Sequence, residues 1–213
     1  MKKVVAINTS PRATWNTGQL VRAAAEGAQM AGAEVEVIDL YKLDAYQGCR
    51  SCFVCKTDRS RGVCAFKDGL TPVLDAVREA DALVIGSPIY FGRPTAGFRA
   101  LFERLCFQFL TYRTDRASCN ERPIPVLFMV TSNCPEGQFA EIGYDAMLAQ
   151  HVELFERFVG PATIYKCTDT LQTDHYERYD WNRFDVEAKQ RRHEEVFPKE
   201  LEEVRELGKA LVS

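Results

Sequence analysis

Five short apolar runs, each followed by a longer stretch with helical spacing, leave this chain few ways to fold. The runs cover residues 4–7, 35–38, 82–85, 126–130 and 162–165 and are mostly rich in β-branched residues. Apart from Glu36 they are close to continuous rather than alternating. Strands that read this way are covered by helices on both faces. Helical stretches are expected at 17–31, 70–80, 95–110, 139–158 and 187–211. The first repeats Leu20, Val21, Ala24 and Ala28 and stops before Gly32, and the third repeats Phe98, Leu101, Phe102, Leu105 and Phe109. Pro198 should break or kink the last. Parallel neighbours need crossovers, and crossovers are right-handed. The pattern therefore predicts a doubly wound α/β fold: a five-stranded parallel sheet, order 2-1-3-4-5, with helices on both faces.

No linker, repeat or low-complexity tract interrupts the pattern, so residues 1–213 read as one domain. Two stretches exceed what such a fold needs. Residues 41–68 are rich in Cys, Arg and Lys, and residues 168–185 set Tyr176, Tyr179, Trp181 and Phe184 among charges. Long irregular segments in compact domains are usually functional. The second is expected either to dock onto another surface, such as another subunit, or to act as a lid packed on its own domain. A net charge of −3 argues against nucleic acid as the main partner. No apolar run approaches the length of a membrane span, and Asn8 ends the first run too early for a signal-peptide core. The expectation is a cytoplasmic protein whose eight cysteines are reduced.

Ligands of open α/β sheets bind beyond the carboxyl ends of the strands. After the first strand, Ser10, Arg12, Asn16 and Thr17 lie in a hydroxyl- and amide-rich loop that runs straight into a helix. The N-terminus of that helix offers unpaired N–H groups and a positive dipole end, and Arg12 adds a cation. The loop matches neither G-x-G-x-x-G nor G-x-x-x-x-G-K-[ST], so it suits a single phosphomonoester rather than a dinucleotide or a triphosphate. An ordinary helix cap by Asn16 or Thr17 is the alternative. After the third strand, Pro88, Ile89, Tyr90, Phe91 and Gly92 put large apolar side chains where solvent would reach. A flat isoalloxazine ring would cover them. Ser132, in the polar loop after the fourth strand, could bond the polar edge of such a ring.

Cys49, Cys52, Cys55 and Cys64 form C-x2-C-x2-C-x8-C. Three thiolates at every third residue can wrap one corner of a cubane cluster, with a fourth closing it. Zinc and free or redox-active thiols are the alternatives, and Arg50 and Lys56 would encourage thiolates. Cys106, Cys119, Cys134 and Cys167 stand alone and read as small hydrophobes or inert surface thiols. His151, His175 and His193 fall in polar stretches and are expected to be exposed. No G-x-S-x-G or H-E-x-x-H motif offers hydrolytic chemistry.

Ser10-Pro11-Arg12 with Asn16-Thr17, Ser87-Pro88-Ile89-Tyr90-Phe91-Gly92 and the cysteine loop together resemble the NADPH-dependent FMN reductases. The resemblance is especially to their iron–sulfur flavoprotein branch. The resemblance runs in order over about residues 1–137. It implies a flavodoxin-like fold with FMN as cofactor and NAD(P)H as cosubstrate. Ser10, Arg12, Asn16 and Thr17 would contact the phosphate, and Pro88 to Gly92 would lie along the flavin. It also implies a homodimer or homotetramer, and a 4Fe–4S cluster on the four cysteines that exchanges electrons with FMN. The expected chemistry is ping-pong: a nicotinamide donor reduces the flavin and leaves, and a quinone, flavin or protein acceptor then takes the electrons. Electron carriage between protein partners without nicotinamide turnover is the alternative.

Overall fold

The computed structural model describes residues 1–212. Five parallel strands, β1 (Lys3–Asn8), β2 (Glu34–Asp39), β3 (Ala82–Tyr90), β5 (Val126–Thr131) and β6 (Ala162–Cys167), lie in the order β2-β1-β3-β5-β6. That is the expected 2-1-3-4-5 once a two-residue strand, β4 (Arg93–Pro94), is set aside; β4 turns back antiparallel against the end of β3. The helices are α1 (Asn16–Met30), α2 (Thr71–Glu79), α3 (Ala96–Phe109), α4 (Tyr144–Phe158), α5 (Val186–Glu195) and α6 (Phe197–Ala210). No described helix is long and apolar enough to cross a membrane.

The near-continuous apolar runs divide their side chains between two cores, as the two-residue period of a strand requires. Val5, Ile7, Leu83, Ile85, Val126, Phe128 and Val130 face α2, α3 and α4. Val4, Ala6, Ala82, Val84, Leu127 and Met129 face α1 and α6. Phe98, Phe128 and Phe155 are fully buried in the first core, each contributing about 1.5–3 kcal/mol of transfer free energy. In the second core small residues let the helices approach. A Cβ on Gly27 would stand 1.9 Å from the Arg205 carbonyl oxygen, and one on Gly208 2.0 Å from that of Ala24.

Several boundaries differ from expectation. The third strand runs on from Ile85 to Tyr90, because its end pairs with β4. The outer strand β2 is only partly buried, with Ile38 and Val35 packed against the first and second cores and Glu34, Glu36 and Val37 exposed. The last helical stretch is two helices meeting at Val196, with Pro198 in the first turn of α6, where a missing N–H costs nothing. His151 is buried, contrary to expectation. It shares one face of α4 with Met147 and Phe155, and its ring lies 5.0 Å from Phe102 and 5.5 Å from Phe98.

Candidate functional site

The loops after β1, β3 and β5 meet at the carboxyl edge of the sheet. Thr9 holds the first two together: its N–H and hydroxyl both donate to Gly86 O, at 2.9 and 2.8 Å. Thr95, the N-cap of α3, donates from Oγ1 to Thr9 O at 2.7 Å and accepts from Phe98 N. Thr17 in α1 and Thr131 at the end of β5 share a hydroxyl–hydroxyl bond of 2.7 Å. These bonds fix three separate chain segments around one cleft of about 290 Å³.

Ser10, Arg12, Asn16, Thr17, Pro88, Ile89, Tyr90 and Ser132 all line that cleft. The structure thus brings together eight of the ten residues selected for the cofactor. The other two, Phe91 and Gly92, do not line it; they form the tip of the β3–β4 hairpin. Both have positive φ, 49° and 77°, as the inner positions of a two-residue type I′ turn require. Glycine adopts this readily, whereas phenylalanine does so at a cost, and the Phe91 ring is left fully in solvent.

No side chain caps the start of α1. Asn16 instead donates to Leu171 O at 2.8 Å, and Thr17 is committed to Thr131, so the ordinary-cap alternative is not what these residues do. The first N–H groups of the helix remain without a side-chain partner beside Ser10 and Arg12.

Segment 168–185 is a lid on its own domain. Backbone pairing past the strand ends delivers it there: Ser132 N to Cys167 O, Thr170 N to Ser132 O and Asp169 N to Cys134 O. Thr170, Leu171, Gln172 and Trp181 then close one side of the cleft. Arg12 donates to Gln172 O at 2.6 Å and Trp15 to Leu171 O at 3.2 Å, while the Arg12 guanidinium lies over the Trp15 ring. Lys189 secures the base of the lid on Asn133 O and the Asp169 carboxylate. A neighbouring cavity of about 530 Å³, which also touches Asn133, is lined by Cys134, Tyr144, Phe184 and Lys189. Sequence reasoning placed Thr131 and Asn133 beside Ser132 in the polar loop after the fourth strand without selecting them, and did not select Trp15, Thr170, Leu171, Gln172 or Trp181. The aromatic cluster around Trp181 was visible, but nothing local marked Leu171 or Gln172.

All four selected cysteines, Cys49, Cys52, Cys55 and Cys64, line a second, smaller cavity against α3, with Phe66, Arg104, Phe107 and Gln108. Ser51 N–H donates to Cys49 Sγ at 3.4 Å, and Ser51 and Phe53 both take left-handed conformations to bend the loop around its thiols. Two anchors hold the loop. Arg104 bonds the Asp68 carboxylate and Phe66 O, and Lys56 bonds the Phe107 and Leu110 carbonyls at the end of α3. Burial raises the Cys55 thiol above its usual range despite Lys56 beside it, so the expected encouragement of a thiolate fails there. The space enclosed is about 20 Å³, room for one water. Among the described residues no group of three His, Cys, Asp or Glu is arranged to hold a metal ion. A larger group would require the loop to move outward.

Unpartnered buried polar atoms are few in native proteins and call for explanation. Among the described residues they are Asn16 Oδ1, Asn133 Oδ1 and Gln172 Oε1, then Arg104 Nε, Gln108 Nε2 and Gln108 Oε1. The first three residues line the carboxyl-edge cleft and the other two line the thiol cavity. The cleft therefore offers acceptors matched to a hydroxyl-bearing ligand, beside an anion-seeking helix start. The thiol cavity offers donors beside four sulfur ligands. The cleft's donor set fits the group expected there, whereas the thiol cavity as it stands is too small for a 4Fe–4S cluster.

The sequence pattern of the family described as NADPH-dependent FMN reductase matches residues 2–142. An iron–sulfur flavoprotein of Archaeoglobus fulgidus is 38% identical over 104 residues, 48% of this chain and 48% of that protein. Another, of Methanocaldococcus jannaschii, is 36% identical over 102 residues, 48% of this chain and 51% of that protein. The chain spans about half the length of the curated relatives it matches. In fold it is similar to a NAD(P)H:quinone oxidoreductase from Methanothermobacter marburgensis, with a TM-score of 0.72 at 16% identity, covering 99% of this chain and 98% of that one. An azoreductase from Bacillus anthracis gives a TM-score of 0.64 at 18% identity, over 99% and 100% of the two chains. At such identities the likeness is one of fold. The family pattern, by contrast, runs through the loops after β1, β3 and β5 that build the cleft, and on that match the chain belongs to the NADPH-dependent FMN reductase family.

Proposed function

We propose that the carboxyl-edge cleft binds FMN and that the protein is an oxidoreductase, passing electrons from a nicotinamide donor to a quinone, flavin or protein acceptor. The observation that carries this reading is the convergence, on one cleft, of an uncapped helix start with Arg12 and Ser10, an apolar wall at Ile89 and Tyr90, and three unpartnered acceptors. Arg12 and the first N–H groups of α1 would hold the phosphate. Asn16 Oδ1 and Gln172 Oε1 would accept from the ribityl hydroxyls, and Ser132 and Asn133 would face the polar edge of the ring. When bound, FMN supplies the hydride and electron chemistry itself, so the protein's part is to bind, orient and exclude water. Trp181 and the lid serve the last role. The adjoining cavity beyond Asn133 gives a second reactant room beside the cleft.

Apo-protein titrated with FMN should quench its fluorescence, with riboflavin binding at least tenfold more weakly for want of the phosphate contacts. The loaded protein should oxidise NADH or NADPH with a quinone present. Equal affinity for the two flavins would refute the phosphate assignment, and absence of turnover with any acceptor would refute the nicotinamide step.

A second reading concerns the thiol cavity. Cys49, Cys52, Cys55 and Cys64 would hold a 4Fe–4S cluster, which would supply one-electron transfer. What favours it is that four thiols dispersed over 16 residues share one cavity with unpartnered donors. With this cluster and no nicotinamide turnover, the protein would be an electron carrier between protein partners. Anaerobic purification with iron and sulfide analysis tests it, and protein free of both after reconstitution excludes it.

A further inference from the structure

Tryptophan at the N-cap of a helix contributes nothing to capping, since its side chain carries one donor and no acceptor for the free N–H groups. Trp15 nevertheless holds that place in α1, half-buried, and both its ring and its indole nitrogen are engaged. Nε1 donates to Leu171 O at 3.2 Å, and the Arg12 guanidinium lies over the ring at 5.0 Å. Arg12 in turn donates from Nη1 to Gln172 O at 2.6 Å, and Asn16 Nδ2 shares Leu171 O at 2.8 Å. Two adjacent lid carbonyls thus fasten three side chains between the end of β1 and the first turn of α1. Arg12 is exposed and has no carboxylate partner among the described residues. Immobilising so long an exposed side chain costs rotamer entropy that a neutral carbonyl and a ring offset only in part. One of its five donors is spent on Gln172, which leaves the others for an anion in the cleft.

We infer that Trp15 is a positioning residue for the cofactor's phosphate: it holds the Arg12 guanidinium at the phosphate seat and ties the lid to the same side chain, so that filling the seat and closing the lid are coupled. The inference rests on the FMN reading above and adds to it the device by which the lid senses the phosphate. Coupling of this kind is reciprocal. An anion that fixes Arg12 strengthens the hold on Gln172, and a closed lid readies Arg12 for the anion. Trp15 acts through Arg12, not on the phosphate itself.

The test uses the full apo-chain titrated with FMN and with riboflavin. Trp15→Phe keeps a ring under Arg12 and loses the bond to Leu171, so Kd for FMN should rise about fivefold. Trp15→Ala also loses the ring and should add about two- to fivefold more. Kd for riboflavin should rise by less in both variants, so the preference for FMN narrows. In an Arg12→Ala background Trp15→Ala should have little further effect on FMN, because the side chain it positions is gone. Equal weakening of the two flavins, or an undiminished effect of Trp15→Ala without Arg12, overturns the inference. Should Trp15→Ala fail to fold, the wild-type protein decides by limited trypsin cleavage at Arg178 and Arg183, both exposed in the lid. At equal occupancy FMN should slow those cuts at least about fivefold more than riboflavin, the worth of one hydrogen bond. Equal protection by the two flavins overturns the coupling. Wild-type protein that binds neither flavin overturns the FMN reading itself, and is recognisable as that separate failure.

Discussion

Replacing Gly18 by alanine adds one methyl group where α1 leaves the loop that follows β1. A Cβ there would stand 1.9 Å from the Ala13 carbonyl oxygen and 2.7 Å from its carbon, well inside the 3.4 Å at which ordinary contact begins. The obstacle is backbone, so no side-chain rotation relieves it. Two effects compete. Alanine in place of glycine within a helix gains up to about 1 kcal/mol. Overpacking typically costs about 1–3 kcal/mol, and a clash with main chain belongs at the upper end. The clash should win by roughly 1–2 kcal/mol, which in a domain of this size lowers Tm by about 2–8 °C. The loop must also move by about 1.5 Å, the shortfall from ordinary contact. Hydrogen bonds lengthened by that much are lost, so Kd for FMN should rise at least tenfold, measured by flavin fluorescence quenching. Gly208→Ala is the matched control: its Cβ meets Ala24 O at 2.0 Å in the α1–α6 contact, and Gly208 does not line the cleft. It should lose similar stability and keep Kd within about twofold once folded. If Gly18→Ala lowers Tm like the control yet binds FMN like the wild type, the reasoning that this loop seats the phosphate is wrong.

Arg12→Ala should weaken FMN by about tenfold or more while leaving riboflavin affinity unchanged, because only the phosphate uses the charge-assisted bond; parallel titrations of the two flavins check this. Asp68→Ala strands the buried Arg104 charge and should cost about 3–5 kcal/mol by denaturant unfolding, part of it recovered in the double variant with Arg104→Met. His151 gives a pH dependence. Burial, outweighing its Met147 O bond and helped by Arg99 and Arg93, holds its pKa below 6.5. The unfolded state therefore binds the proton more readily, so Tm should fall as pH drops below 6.5 and level off below the folded value. His151→Leu should remove that portion of the slope, seen in melts at pH 7.5 and 5.5.

Much of the site was legible because its parts are local. Ser10, Arg12, Asn16 and Thr17 lie within one loop and the first turn of α1, and Pro88 to Tyr90 complete β3, so strand–loop–helix order alone placed them at the carboxyl edge. The four cysteines were legible through spacing. His151 was misjudged because a histidine was taken for a surface residue, although Met147 and Phe155, one turn away on either side, already marked the buried face. Phe91 was grouped with its neighbours, but the hairpin turn carries its ring away from the cleft.

What the amino-acid order determines by itself is the layered α/β plan, the strand order and the two sets of ligand-type residues, because periodicity, crossover handedness and spacing act over short lengths. Only the tertiary structure decides that Leu171 and Gln172, some 155 residues from Asn16, supply the carbonyls that seat Arg12 and Asn16 beside the cleft. It alone also places the unmatched amide of Gln108 on the wall of the thiol cavity. Contacts of that kind depend on where distant segments are brought to rest by packing, and no local pattern encodes them.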